Sequence, residues 1–333
     1  MADLKFTRFA KAVGMAAALS LGLAVSAQGA ERTLKLGTDQ PDGHPYDLGV
    51  KHFAELVSQK TSGAITIEIY PGAQLGDSGE QIEGLQLGTL DMSLAAFSHA
   101  SQFCKELGLF GAPFLFKDEA HFAAVFDGEV GTELDRACQE RYGIRLLNTF
   151  TSGYRLMFNG KRPVNEVDDL QGLKIRVMGG EADAMTWKVF GAIPAPMPYS
   201  EVYSALQAGV IDGAENEFAS ILANRFYESA PYFANTKHLV LPMGLFISDR
   251  IYSDLTDAER QAFREAALEA AQWQRDLMKE RNAAAIAEMQ QKYGVTVSGV
   301  DAESLRKKGG DIQDQVATQL GLEDLLAKVR AAG

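Results

Sequence analysis

The sequence predicts an α/β fold with two domains, and three observations support this prediction. The chain has 333 residues, a length that accommodates two domains of ordinary size. Strand-like and helix-like runs alternate at residues 33–70 and again at residues 172–216. A helical pattern from Asp257 to about Tyr293 extends on the order of 55 Å, which exceeds the width of a small domain. We therefore expect this helix to cross from one domain to the other.

The first half of the chain reads as alternating strands and helices. Residues 65–70 alternate apolar and polar side chains, as a half-buried strand does, and Ser62-Gly63 ends the helical run before them. Strands are predicted at residues 33–38, 65–70, 90–96, 144–150 and 153–158, and helices at 46–61, 80–87 and 119–142. A polar turn at residues 39–45 joins the first strand to the first helix.

The stretch from Gly172 to Asn216 predicts a second strand–helix–strand unit. It contains a strand at 173–177, a helix after Gly179-Gly180, an extended segment with three prolines, a helix from residue 200 to Gly209, and a strand at 210–214. A helix at 218–227 and a strand at 238–246 follow. Thr256 and Glu259 form a capping box that begins the long helix.

Polar residues on these strands are the first candidates for a binding site, because open α/β sheets bind ligands at strand ends. Arg176 lies inside one short apolar strand and Asn216 follows another. Arg155 also interrupts an apolar strand. Two interpretations of Arg155 stay open: an edge strand with the side chain in solvent, or a guanidinium held in a cleft for a carboxylate.

Composition and charge exclude several classes of function. The chain is 46% apolar and 23% charged, as globular proteins are, and its net charge of −12 argues against nucleic acid or anionic membranes as partners. An anionic small molecule stays compatible, since one buried arginine opposes the overall field locally. The five histidines lack metal-ligand spacing, and no Gly-x-Ser-x-Gly motif is present, so we expect no metal, no cofactor and no enzymatic activity. Cys104 and Cys138 form either a disulfide or two separate buried thiols.

Residues 1–30 have the pattern of a signal peptide. Lys5, Arg8 and Lys11 precede an apolar run from Val13 to Val25, and small residues up to Ala30 offer cleavage sites. The run is short for a membrane span. We expect cleavage between residues 27 and 30 and export to the periplasm.

Several motifs together resemble the solute-binding proteins of TRAP transporters, the DctP-like family. They are Leu-Lys-Ile-Arg-Val (173–177), Gly-Ala-x-Pro-x-Pro-Met (191–197), Ser-Glu-Val-Tyr-x-Ala-Leu-Gln (200–207), Val-Ile-Asp-Gly-Ala-Glu-Asn (210–216), Tyr-Pro-Gly-Ala-Gln-Leu-Gly (70–76), Gly-Thr-Leu-Asp-Met (88–92) and Pro-Phe-Leu-Phe (113–116). The resemblance covers essentially the whole chain after the signal peptide, in order.

This resemblance implies a two-lobed α/β periplasmic binding protein with a long helix spanning both lobes. Residues 31–153 and 242–281 would form the first lobe, and residues 154–241 and 282–333 the second. The protein would deliver its ligand to membrane permease subunits and function as a monomer. Carried over by position, Arg176 is the carboxylate-binding arginine, Arg155 a second arginine, Asn216 a carboxylate-binding amide and Tyr199 a packing aromatic.

The ligand expected from these residues is a small hydroxylated acid. Two arginines and the polar turn containing Asp39, Gln40 and His44 favour a uronate, an aldonate or a C4-dicarboxylate. Sialic acid is disfavoured, because Gly179, Ser78 and Ala96 replace residues that its binders use. Two other ligands remain alternatives, ectoine and a 2-oxo acid, and so does an enzyme acting on an acid. Ectoine would need an aromatic box, for which Phe97, Trp187 and Phe218 are the candidates.

Overall fold

A single mixed sheet of nine strands is the centre of the fold. The computed structural model describes residues 31–333, so the predicted signal peptide and its cleavage sites lie outside the described residues. The strands are β1 (Arg32–Thr38), β2 (Ile65–Tyr70), β3 (Met92–Ala96), β4 (Ile144–Asn159), β5 (Lys174–Val177), β6 (Ile193–Pro196), β7 (Gly213–Asn216), β8 (Tyr232–Ser248) and β9 (Thr296–Ser298). Their order is β2-β1-β3-β8-β4-β7-β5-β6, with β9 beside β8.

Thirteen helices in the described part of the chain cover this sheet. They are α1 (Pro45–Lys60), α2 (Ser78–Leu87), α3 (Phe97–Ala100), α4 (Glu119–Phe126), α5 (Glu129–Tyr142), α6 (Glu181–Val189), α7 (Val202–Gln207), α8 (Phe218–Ala223), α9 (Asp249–Ser253), α10 (Asp257–Tyr293), α11 (Ala302–Gly309), α12 (Ile312–Leu320) and α13 (Glu323–Ala331). Within residues 31–333, no helix is long and apolar enough to cross a membrane.

The two long strands β4 and β8 run antiparallel through both halves of the sheet. Residues 144–151 of β4 pair with residues 242–248 of β8, and this half carries β3 and then β1. Residues 154–159 pair with residues 232–240, and this half carries β7 and then β5. The pairing shifts register between Thr151 and Tyr154, where Gly153 has φ 65°. The predicted lobe boundaries at 153/154 and 241/242 stay a prediction, and this irregularity falls beside them.

Helix α10 has the bounds that its capping pattern predicts. Thr256 accepts from the backbone N–H of Glu259, and the Glu259 carboxylate accepts from that of Thr256. Its first half packs with β1 and β3 in one apolar core, whereas Ala285 and Met289 pack with the 156–158 segment of β4 in another. The expectation that the long helix crosses between the two halves is therefore confirmed.

Two predictions between residues 119 and 159 were wrong. The helix expected over 119–142 is two helices, because the chain breaks at Gly128, where a Cβ would lie 2.5 Å from the Ala124 carbonyl oxygen. The two strands expected over 144–158 are one strand, β4, which absorbs the bend at Gly153 as a bulge.

The C-terminal helices bear on the predicted lobe assignment of residues 282–333. Val316 of α12 and Leu326 of α13 pack in the same apolar cluster as Phe126 and Leu134 from the first half of the chain. Strand β9, in contrast, pairs with residues 232–234 of β8. The tail therefore contacts elements of both predicted lobes, and its assignment to the second lobe stays a prediction.

Cys104 and Cys138 form a disulfide, which resolves the two alternatives left open by the sequence. Their Cα atoms lie 5.4 Å apart, and the bond joins the segment after α3 to α5. Both side chains are buried in the cluster that α12 and α13 complete. The disulfide thus links the segment after α3 covalently to α5.

Removing this disulfide should lower the free energy of unfolding by about 2–4 kcal/mol, because the bond closes a loop of 34 residues that the unfolded chain otherwise leaves open. Denaturant unfolding of Cys104→Ala/Cys138→Ala beside the wild type measures the loss. The reduced wild type serves as control, since it loses the bond but keeps both side chains. Equal midpoints for oxidised and reduced wild type would contradict this prediction.

Candidate functional site

A small cavity lies where the carboxyl ends of several strands meet. Asp39 follows β1, Ala96 ends β3, Arg176 is near the end of β5 and Asn216 ends β7. Its lining is Asp39, Gln40, Tyr46, Ala96, His99, Arg155, Arg176, Met178, Tyr199, Asn216, Glu217, Ser220, Leu241 and Met243. Six of the seven residues predicted from the sequence line it, and His44 does not.

Arg176 is a buried cation with unused donors. Its side chain is 2% exposed, and its Nε and Nη2 atoms both donate to the Met197 carbonyl oxygen, at 3.1 and 2.9 Å. A guanidinium carries five N–H donors, so three N–H groups have no hydrogen-bond partner among residues 31–333. Burial lowers the pKa of Arg176, which reflects the cost of a desolvated charge. Such a group is stabilised by an anion entering the cavity.

Arg155 lies in the centre of the sheet and is only 3% exposed, so the alternative of a solvent-exposed edge arginine is wrong. Its Nε and Nη2 atoms grip the Glu215 carboxylate at 2.5 and 2.7 Å, and Nη2 also donates to the Glu215 carbonyl oxygen at 2.7 Å. Its Nη1 donates to Glu217 Oε2 at 3.0 Å and to Asn216 Oδ1. All five N–H donors are used.

The two arginines therefore differ in what they offer to a ligand. Burial alone would lower the pKa of Arg155, but Glu215 and Glu217 raise it above its ordinary value. The predicted contact of Arg155 with a ligand stays a prediction, and its hydrogen bonds instead make it a counter-ion for the two glutamates. Of these two arginines, only Arg176 combines burial with N–H groups that have no partner in the described chain.

Glu217 lines the cavity and shares Arg155 with Glu215, and neither glutamate was predicted from the sequence as a site residue. Burial would raise the pKa of Glu215, but Arg155, and then His238 with its Nε2 atom 3.4 Å from Glu215 Oε2, lower it to about 2. For Glu217, burial outweighs Arg155 and raises the pKa. The signal in the sequence is the run Glu-Asn-Glu at 215–217, three polar residues at the end of a short strand.

Asn216 and Tyr199 occupy the side of the cavity near the arginines. Asn216 Oδ1 accepts from Arg155 Nη1 and from the Glu217 N–H, which fixes the amide orientation. Among the described residues, its Nδ2 has only a 3.4 Å contact, to Tyr199 Oη. Tyr199 Oη accepts from Asn224 Nδ2 at 2.7 Å, and its ring centroid lies 5.9 Å from Arg176 Cζ. Both side chains retain N–H or O–H groups for a ligand.

Asp39, Gln40 and Tyr46 also line the cavity, and they supply further polar atoms. Asp39 Oδ1 accepts from Gln40 Nε2 at 2.8 Å, and Asp39 Oδ2 accepts from Ser78 Oγ at 2.7 Å. Gln40 Oε1 and the hydroxyl of Tyr46 are buried without a hydrogen-bond partner among the described residues. Buried polar atoms seldom lack a partner, so these two mark positions where polar ligand atoms would fit.

His44 does not line the cavity, but it contacts Ser220, which does. Its Nδ1 accepts from the Tyr46 N–H at 3.2 Å, so the neutral ring carries its proton on Nε2, which lies 3.0 Å from Ser220 Oγ. Ser220 in turn donates to Glu217 Oε1. Burial lowers the pKa of His44 to about 3, so the ring is neutral at pH 7. His44 therefore positions Ser220 and Glu217.

The proposed aromatic box does not form around the cavity. Phe97 packs on Phe110 and Phe126, Trp187 packs on Phe190, and Phe218 on Phe233, and none of the three lines the cavity. In the described chain, no three His, Cys, Asp or Glu side chains cluster in a way that would hold a metal ion.

Comparison with known proteins shows what the chain is similar to. The sequence model of the bacterial extracellular solute-binding protein family 7, DctP, matches residues 36–319. A solute-binding protein of Chromohalobacter salexigens is 33% identical over 334 residues, which cover 99% of this chain and 98% of that protein.

Two solved structures of TRAP periplasmic solute-binding proteins share the fold. One from Xanthobacter autotrophicus Py2, with bound β-D-galacturonate, has a TM-score of 0.85 at 30% identity and covers 90% of this chain and 100% of its own. One from Polaromonas sp. JS666, bound to D-erythronate, has a TM-score of 0.86 at 31% identity and covers 91% and 99%.

These likenesses confirm the two-lobed α/β fold expected from the motifs, and they concern binding proteins, not enzymes. The match extends over most of the chain from β1 to the C-terminal helices. The chain therefore belongs to the bacterial extracellular solute-binding protein family 7, the DctP family of TRAP transporter solute-binding proteins.

Proposed function

We propose that this protein binds a small hydroxylated organic acid, such as a uronate or an aldonate, in the cavity between its lobes. The observation that carries this proposal is Arg176, a buried guanidinium whose only hydrogen-bond partner in the described chain is the carbonyl of Met197. A carboxylate accepts two parallel N–H bonds from such a group. The β-D-galacturonate and D-erythronate found in similar proteins are acids of this kind.

In the proposed pose, the ligand carboxylate lies against Arg176 with Asn216 Nδ2 donating to one oxygen. Tyr199 packs beside it, since its ring already lies near the guanidinium. Ligand hydroxyls donate to Asp39 and Gln40, which also line the cavity. Arg155 holds Glu215 and Glu217 in place and does not grip the carboxylate itself.

Binding would bring the two lobes together around the ligand. The paired strands β4 and β8 and helix α10 would connect the lobes during this motion. The loaded protein, a monomer freed from its signal peptide between residues 27 and 30, would then deliver the acid to the permease subunits of a TRAP transporter from the periplasm. Its excess of acidic residues is consistent with a freely diffusing carrier.

Thermal-shift screening of the purified protein tests the ligand class. The panel contains uronates, aldonates, C4-dicarboxylates, 2-oxo acids and ectoine, with neutral hexoses as controls. We expect at least one hydroxylated acid to raise the melting temperature, because an acid at 100 times its dissociation constant adds about 2.7 kcal/mol to the stability of the folded state. A shift with ectoine alone, or equal shifts with neutral hexoses, would contradict the proposal.

A further inference from the structure

We propose that the cavity accepts a ligand with one carboxylate only, and that Asp39 and Glu217 are the specificity-determining residues that reject a second. This inference rests on the proposed function, because it assumes that the first carboxylate binds Arg176. It narrows the ligand class to hydroxylated monocarboxylates and removes dicarboxylates, which the sequence leaves open.

The cavity lining contains few cationic donors. Arg155 and Arg176 are the only arginine or lysine side chains among the residues that line the cavity. All five N–H groups of Arg155 donate to Glu215, Asn216 and Glu217, so Arg155 offers none to a ligand. Burial and then the charge of Arg176 lower the pKa of His99, which makes that ring a poor cation. One guanidinium remains, which is enough for one carboxylate.

Other polar residues of the lining supply acceptor oxygens. Asp39 comes from the loop after β1 and Glu217 from the residue after β7, so the two carboxylates enter the cavity from different halves of the sheet. Gln40 Oε1, which has no hydrogen-bond partner among the described residues, is a further acceptor in the lining. Hydroxyl groups of a ligand can donate to these oxygens, whereas an ionised carboxylate has only lone pairs to offer.

The acidic side chains of the lining disfavour a second carboxylate on the ligand. Asp39 accepts hydrogen bonds from Gln40 and Ser78, both neutral donors, and no cationic side chain among residues 31–333 donates to it. Glu217 shares Arg155 with Glu215. A second ligand carboxylate would face these acidic groups, and like charges repel. We expect the replacement of a terminal hydroxymethyl group by a carboxylate to weaken binding on the order of 100-fold.

Matched pairs of acids test this inference by calorimetric titration. D-galactonate and galactarate differ only in whether the last carbon is CH₂OH or COO⁻, and erythronate and meso-tartrate differ in the same way at four carbons. Succinate and malate complete the diacids, and D-galacturonate and D-glucuronate complete the monoacids. The tightest monoacid should bind at least tenfold more strongly than every diacid. A diacid that binds as tightly as the best monoacid overturns the inference and leaves the proposed function standing, whereas no binding by any acid overturns both.

Two variants connect the selectivity to its residues. Asp39→Asn and Glu217→Gln each remove one negative charge and keep an oxygen acceptor, and Glu217→Gln still accepts from Arg155. Each should narrow the ratio of monoacid to diacid affinity at least tenfold. Glu201→Gln, which removes an exposed carboxylate close in sequence to Tyr199, is the control and should leave the ratio unchanged. Unchanged ratios in Asp39→Asn and Glu217→Gln, with circular dichroism showing folded proteins, would overturn the assignment of selectivity to these residues.

Discussion

Arg176→Met should abolish measurable binding of the acid while the protein stays folded. The variant removes both charge-assisted hydrogen bonds to the ligand carboxylate, each contributing about 1.5–3 kcal/mol. Together they amount to about 3–6 kcal/mol, which is about 10²- to 10⁴-fold in the dissociation constant. The folded state should tolerate the change, because Arg176 is bonded only to the Met197 carbonyl within the described chain and its own charge is costly to bury.

Arg176→Lys separates charge from geometry in the same experiment. An ammonium keeps the positive charge but cannot make two parallel bonds to one carboxylate. We expect a loss of about 1.5–3 kcal/mol, which is about ten- to a hundredfold in affinity. Calorimetric titration beside the wild type measures both variants, and circular dichroism establishes that they are folded. If Arg176→Lys binds the same acid within about twofold, or about 0.4 kcal/mol, the bidentate role is wrong.

Arg155→Met should destabilise the fold by about 3–5 kcal/mol, a larger stability loss than any other single change that we propose. The substitution leaves Glu215 buried without its counter-ion, and it also removes the partner of Glu217. Denaturant unfolding at pH 7 measures the loss. Arg136→Met, which removes an exposed arginine of α5, is the control and should change stability by less than about 0.5 kcal/mol.

The loss in Arg155→Met should shrink as the pH falls from 7 to 4. In the wild type, Arg155 holds the pKa of Glu215 near 2, below its ordinary value of 4.5. That coupling stabilises the folded protein above pH 4.5 and is lost as the pH falls through about 2. In the variant, Glu215 takes up a proton on folding, at a cost that is smaller in acid. A deficit that is independent of pH, or that is absent at pH 7, would contradict the ion-pair account.

The double variant Arg155→Met/Glu215→Gln distinguishes charge from packing. Replacing both partners removes the uncompensated charge, so part of the lost stability should return. If the double variant is less stable than Arg155→Met alone, lost packing and hydrogen bonding at the centre of the sheet dominate instead. Binding of the acid is read in parallel, since Arg155 acts on the ligand only through Glu217 and Asn216 in the proposed arrangement.

Local patterns in the sequence determined the elements that build the site. Strand–helix alternation predicted the two regions 33–70 and 172–216, and the capping box of Thr256 and Glu259 predicted the long helix with its correct start. These features depend on residues a few positions apart, so they can be read without knowing the fold. The placement of Arg176 and Asn216 at strand ends followed from the same patterns.

The tertiary structure alone decided which arginine is free. Arg155 and Arg176 look alike in the sequence, since each is a guanidinium in a short apolar strand. Residues about 60 positions further along the chain accept from every donor of Arg155, whereas the Arg176 guanidinium donates to only one carbonyl oxygen within residues 31–333. The same holds for His44, which the fold places behind the cavity, and for the Cys104–Cys138 bond. Hydrogen bonds between distant segments depend on how strands align in the sheet, and no local pattern encodes that alignment.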